Sequence, residues 1–174
     1  LGWPLQTRAK DAHQDVVPAS HHIYCQHIQM GQFLSTMYEP GERIALNDLG
    51  AVSYYTDASI LDLWGLGSID VVSAKRRDEY DTEEIERLLR KNKTNIVMVY
   101  QSWFYRRQEL PEYLFAVADW SLSKPYFGRT VTFLATSEKE ARGLRERLRE
   151  FQSRLPSSVK EYYHQPKVPL QGTD

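Results

Sequence analysis

Two carboxylates occupy matching places in the first half of the chain. Asp48 follows the apolar run Ile44-Ala45-Leu46, and Asp62 follows Ile60-Leu61. Each precedes a glycine-bearing turn, Leu49-Gly50 after the first and Leu63-Trp64-Gly65-Leu66-Gly67 after the second. Carboxylates at the ends of neighbouring strands can hold a divalent cation, orient a sugar hydroxyl, or divide acid and base roles between them. Asn47, Tyr54 and Trp64 stand beside them and add an amide and two aromatic faces. That mixture suits a sugar, whose hydroxyls need acceptors and whose apolar face needs a ring. A second reading is a closed corner. In it Asp48 caps the short helix that follows, Asp62 accepts from loop N–H groups, and Tyr54 and Trp64 pack over both. The sequence leaves both readings open.

Other groupings are weaker. His21, His22, Cys25 and His27 fall within seven residues. His21 and Cys25 share a helical face, but His27 lies about 200° further round at roughly 100° per residue, so three ligands do not converge on a metal from one helix. His27 reads instead as a hydrogen-bonded residue at the core edge and Cys25 as a small buried hydrophobe. The run Trp103-Phe104-Tyr105-Arg106-Arg107 reads as an exposed patch, with apolar bulk beside two arginines suited to a protein partner or a membrane headgroup layer. Further aromatic residues, Tyr55, Trp120, Tyr126 and Phe127, fall in or near predicted loops and strand ends. No Gly-x-Ser-x-Gly, no Walker loop and no paired cysteines are present, and Gly65-x-Gly67 lacks the third glycine of a dinucleotide fingerprint. No cofactor is implied.

These residues must be positioned by a scaffold. Ile23, His27, Met30, Leu34 and Met37 recur at steps of three and four, which predicts a helix over 20–38 stopped by Pro40-Gly41. Strands follow over 43–47 and 59–63, with a short helix over 51–55 between them. Asp81 and Glu84 have capping-box spacing and open a helix over 81–92. Ile96-Val-Met-Val-Tyr100 is a continuous apolar run, the mark of a strand buried on both faces. Pro111 suits the first turn of a short helix over 112–118, a strand covers 129–135, and Ser137 with Glu140 opens a last helix over 138–154. The alternation predicts an α/β domain: an open, mostly parallel sheet of about four strands with helices on both faces. Residues 1–20 are polar, lack a clear period, and read as a tether or linker. Residues 21–164 read as a single α/β domain, and 165–174, with Pro166, Pro169 and Gly172, as an irregular tail.

Composition narrows the function. The 174 residues carry 22 Lys and Arg against 23 Asp and Glu, a net charge of −1. A dedicated nucleic-acid binder needs a basic surplus, so no nucleic-acid partner is expected. No run approaches the ~20 apolar residues of a membrane-spanning helix. The chain starts at Leu1 rather than methionine, which points to a processed product or a piece of something longer.

The segment Asn47-Asp48-Leu49-Gly50-Ala51-Val52-Ser53-Tyr54, followed by Ile60-Leu61-Asp62-Leu63-Trp64-Gly65-Leu66, resembles a recurring phrase in certain bacterial multi-pass membrane proteins. The phrase belongs to the soluble C-terminal region of proteins related to the C superfamily of glycosyltransferases, the dolichyl-phosphate-mannose and aminoarabinose transferase relatives. The preceding helix, with Tyr24, Gln26, Met30, Phe33 and Leu34, fits as well. The resemblance covers roughly residues 20–75. That family's acidic residues lie in an early external loop upstream and have no counterpart here, so no catalytic residue carries over. The resemblance implies an extracytoplasmic accessory domain, not itself catalytic, on the periplasmic or outer face of a bacterial membrane. Such a domain would cover the active-site mouth or hold a lipid-linked or cell-envelope acceptor, and its partners would be the transmembrane part of its own parent chain and a glycan. The alternative is a free-standing α/β enzyme using Asp48 and Asp62 with a divalent cation. In both readings the ligand-binding candidates are Asn47, Asp48, Tyr54, Asp62 and Trp64, lining a cleft at the carboxyl ends of the first two strands.

Overall fold

A computed structural model describes residues 2–105, 107–122 and 130–165. The chain begins in a helix, α1 (Gly2–His22), continues through a π-helical segment (Ile23–Ile28), and resumes as α2 (Gln29–Met37). It then runs β1 (Arg43–Leu46), α3 (Gly50–Tyr55), β2 (Ser59–Asp62), α4 (Ile69–Arg76), α5 (Thr82–Lys91) and β3 (Ile96–Tyr100). After a 3₁₀ turn at Gln101–Trp103 come β4 (Phe115–Leu122), β5 (Thr130–Ala135), α6 (Glu138–Phe151) and β6 (Val159–Tyr163).

Among the described residues six strands form one open sheet in the order β2-β1-β3-β5-β4-β6. The continuous apolar run of β3 has the predicted consequence: all five residues are buried. Successive side chains of a strand point to opposite faces. Ile96, Met98 and Tyr100 therefore join one core with Ile44 and Leu46, beneath α2, α3 and α6, while Val97 and Val99 join a second with Ala45, beneath α4 and α5. At the centre of the first core Phe33 meets Tyr38, Trp120, Phe133 and Phe151 edge-on, with ring centroids 5.5–5.9 Å apart. Both predicted capping residues act: Asp81 Oδ1 accepts from the Glu84 N–H at 3.0 Å, and Ser137 Oγ from that of Glu140 at 3.2 Å.

The expected sheet needs correction. It has six strands rather than about four, and it is mixed: β1 pairs parallel with β2 and β3, whereas β3–β5, β5–β4 and β4–β6 are antiparallel. The helix expected over 112–118 is instead a turn at 112–114 followed by the first residues of β4. A register shift between Ala116 and Ala118 interrupts the period-two pattern there, which concealed the strand. Trp120, placed near a loop by the sequence reading, is fully buried in β4. The stretch read as a tether or linker is helical. Arg8, Ala9, Lys10 and Ala12 are good helix formers, but residues 7–12 are all exposed, so this stretch shows no buried face that a periodicity search could find. Residues 166–174, with Tyr126 and Phe127, lie outside the described residues.

The π segment also displaces the predicted face. Its i→i+5 bonding widens one turn, so Cys25, Gln26 and His27 are buried in succession while Ile23 turns outward. Close packing of α2 on α3 depends on Gly31, where an added Cβ would fall 2.7 Å from the Tyr55 Cβ. Gly31→Ala should therefore lower stability by about 1–2 kcal/mol in urea denaturation, the overpacking outweighing alanine's better helix propensity.

Candidate functional site

The order β2-β1-β3 places a switch point between β1 and β3. From β1 the chain crosses to β2 through α3, whose Val52 lies in the first core; from β2 it returns past β1 to β3 through α4 and α5 on the other face. In open α/β sheets ligands sit outside the carboxyl ends of the strands at such a point. The residues there are Asn47 and Asp48 after β1, and Tyr100 with Trp103 at the end of β3.

Asn47 extends the ladder. Its Nδ2 donates to the Tyr100 carbonyl at 3.1 Å and its Oδ1 accepts from the Tyr100 N–H at 3.0 Å, so the amide substitutes for a backbone pair one residue beyond Leu46. It is buried. Asp62 follows the closed-corner reading. Its side chain accepts from the Trp64 N–H at 2.8 Å and from the Gly67 N–H at 2.6 Å, and the residue is 2% exposed. Gly65 permits the turn between them with φ +95°, a conformation side chains disfavour. Lys75 closes the corner from α4: its Nζ donates to the Trp64 carbonyl at 2.8 Å and lies 4.3 Å from the Trp64 ring centroid. Partial burial lowers the Lys75 pKa, and the nearby Asp62 carboxylate opposes that shift.

Asp48 behaves differently. The N-cap of α3 is Leu49 rather than Asp48, and no side chain caps it, so the expected capping role is not seen. Its carboxylate faces the π segment instead, with Oδ1 3.6 Å from His27 Nδ1 and the side chain 27% exposed. The two carboxylates thus serve separate partners. Tyr54, on α3, is 83% exposed and packs on Tyr55 at 5.1 Å. Of the five candidates, none shares a described hydrogen bond with another except through the Trp64 N–H on Asp62.

The sequence reading did not pick out the polar network beneath this end of the sheet. Tyr100 Oη lies 3.1 Å from Gln26 Oε1 and 2.9 Å from His27 Nε2, while Gln26 Nε2 donates to the Trp120 carbonyl at 3.0 Å. His22 stands edge-on to His27 with centroids 5.2 Å apart. The signal was present as two polar residues, Gln26 and His27, interrupting an apolar helix opposite a tyrosine that ends an apolar strand. His27 is indeed hydrogen-bonded at the core edge. Cys25 Sγ faces Ser158 Oγ at 3.1 Å and His21 at 3.6 Å, and the residue is buried.

The patch at 103–107 divides. Trp103 stacks on Tyr100 at 5.7 Å and meets Trp64 at 4.9 Å, which joins two groups of candidates the sequence kept apart. Phe104 packs against the second core, Tyr105 and Arg107 are exposed, and Arg107 pairs with Asp78 at 3.5 Å. Arg106 lies outside the described residues.

A family model matches residues 19–145, nearly the whole body of the sheet. The chain belongs to that family, described as Domain of unknown function (DUF8728). No curated protein and no solved structure matches it. The DUF8728 span holds the π segment, β1 to β5 and the start of α6, and so contains Gln26, His27, Asp48, Asp62, Tyr100 and Trp103; β6 falls outside it.

A cleft of about 360 Å³ does occur within the DUF8728 span, away from the predicted place. Gln101, Phe104, Leu110, Pro111, Leu114 and Leu134 line it with two glutamates, and none of the five candidates does. Near the Asp62 corner, Tyr80 donates its O–H to the Leu63 carbonyl at 2.6 Å. Burial, and then the Asp62 carboxylate, push the Tyr80 pKa well above the ordinary tyrosine value. A raised folded pKa gives stability that is complete below the unfolded value, about 10, and lost as pH rises through the folded one. Thermal denaturation should accordingly show falling stability above about pH 10, and Tyr80→Phe should flatten that fall.

Proposed function

We propose that this chain is an extracytoplasmic accessory domain of a membrane glycosyltransferase-like protein, not itself catalytic, that covers the active-site mouth or holds a lipid-linked or cell-envelope acceptor. The supporting observation is the surface at the carboxyl end of the parallel strands. There Trp64 (40% exposed) and Leu66 (80%) in the loop after β2, and Ile69 at the start of α4, stand open to solvent near a buried Asp62. Large apolar and aromatic side chains clustered at a ligand-prone end fit a contact surface. The resemblance at residues 43–67 supplies the class of parent. Among the described residues no helix is long and apolar enough to cross a membrane, so attachment would come through the parent's own spans. The enzyme alternative has less support, because both Asp62 oxygens already accept backbone N–H groups.

The test is sugar transfer from a polyprenyl-phosphate donor in membranes bearing the intact parent. Replacing Trp64 and Leu66 together with serine removes contact area from exposed positions. Transfer should fall about tenfold, the effect of losing one interface hot spot, while the fold persists. Tyr162→Ser, exposed on the edge strand β6, should leave transfer unchanged. Undiminished transfer by the Trp64/Leu66 variant would overturn the proposal.

A further inference from the structure

The hydrogen-bond network under β3 constrains the proton at His27 Nε2. Gln26 Nε2 donates to the Trp120 carbonyl, which can only accept. The other end of the amide, Oε1, therefore faces Tyr100 Oη as an acceptor, and the single phenolic proton goes to it. Tyr100 Oη has no second proton for His27 Nε2 at 2.9 Å, so the imidazole must donate there. On the far side of the ring, Nδ1 faces the Asp48 carboxylate at 3.6 Å. A bare lone pair at that position would oppose an anion, whereas an N–H is attracted to it. An imidazolium, protonated at both nitrogens, would satisfy both contacts at once.

From this we propose that His27 and Asp48 form an imidazolium–carboxylate clamp, which pins the π segment to the loop after β1 and releases that loop as pH rises. The inference is independent of the accessory-domain reading. Titratable groups that meet the ring include His22 on its own helix, Tyr100 on β3 and Asp48 after β1. When base removes a proton it leaves from Nδ1, since Nε2 must go on donating to Tyr100, and it reaches solvent past the partly exposed Asp48. The neutral ring then turns a lone pair toward the carboxylate, and the attraction holding Asp48 inward is gone. An unfolded histidine loses its proton near pH 6.5. The clamp therefore stabilises the fold fully below that pH, and its contribution disappears as pH rises through the folded ring's midpoint.

The test is a pH titration of the ¹⁵N-labelled chain, following histidine ring nitrogens by long-range proton–nitrogen correlation, with His21→Asn and His22→Asn used for assignment. At pH 7 both His27 nitrogens should show the imidazolium pattern. That pattern should disappear at higher pH together with a shift of the Asp48 backbone amide. Asp48→Asn should lower the His27 midpoint by about one pH unit, a tenfold loss of proton affinity. A neutral His27 ring at pH 7 in the unaltered chain overturns the proposal without recourse to any Asp48 variant, and so does a midpoint unmoved by Asp48→Asn.

Discussion

Trp120→Ala should cost the fold about 4 kcal/mol, the usual range for removing a buried large aromatic residue being about 3–5 kcal/mol. Trp120 is fully buried on β4 and packs against Phe33, Phe133 and Phe151. Its indole N–H also donates to Glu161 on β6 at 2.8 Å, so the side chain couples the core to the edge strand. Trp120→Phe keeps most of the volume and loses that bond, and should cost about 1–2 kcal/mol. Urea denaturation of the three chains separates the terms. If alanine and phenylalanine were equally costly, the hydrogen bond to β6 rather than packing would dominate.

The second large effect lies at the Asp62 corner. Asp62→Ala leaves the Trp64 and Gly67 N–H groups without their acceptor in a partly buried turn. Hydrogen bonds to a charged group are worth about 1.5–3 kcal/mol each, so the loss should be about 3 kcal/mol. Asp62→Asn restores one oxygen but aims an NH₂ at the other donor, and recovers only part of it. Asp48→Ala, on a half-open side chain with no backbone partner described, should cost less than about 1 kcal/mol at pH 7. Equal losses at the two carboxylates would show that they act as one unit, contrary to the separate partners seen here.

The contrast between these carboxylates shows what a sequence can convey. The strands β1, β2, β3 and β5 were legible because an apolar run between turn residues has few other readings, and α5 and α6 because a capping box precedes an apolar stripe. β4 was hidden by its bulge. β6 was hidden because Lys160 and Tyr162 on its exposed side leave few apolar positions. Mixed pairing could not be foreseen, since alternation of helices and strands ended at β3 and hydrophobic period says nothing of strand direction. At the site, Asp48 and Asp62 sit in similar local sequence, yet one meets loop amides and the other a histidine 21 residues upstream. The turn glycines hint at the first. The second depends on a π turn that rotates His27 inward, and no local rule announces it.

Where the domain resides in the intact protein bears most directly on the proposed function. The full polypeptide can be isolated from cells with an antibody to this domain and its sequence upstream of Leu1 determined, and protease can be added to cells whose outer layers are opened but whose inner membrane is intact. The proposal predicts hydrophobic spans preceding the domain in the same chain, and cleavage of the domain from outside. A polypeptide without spans, or a domain protected until the membrane is broken, would contradict it.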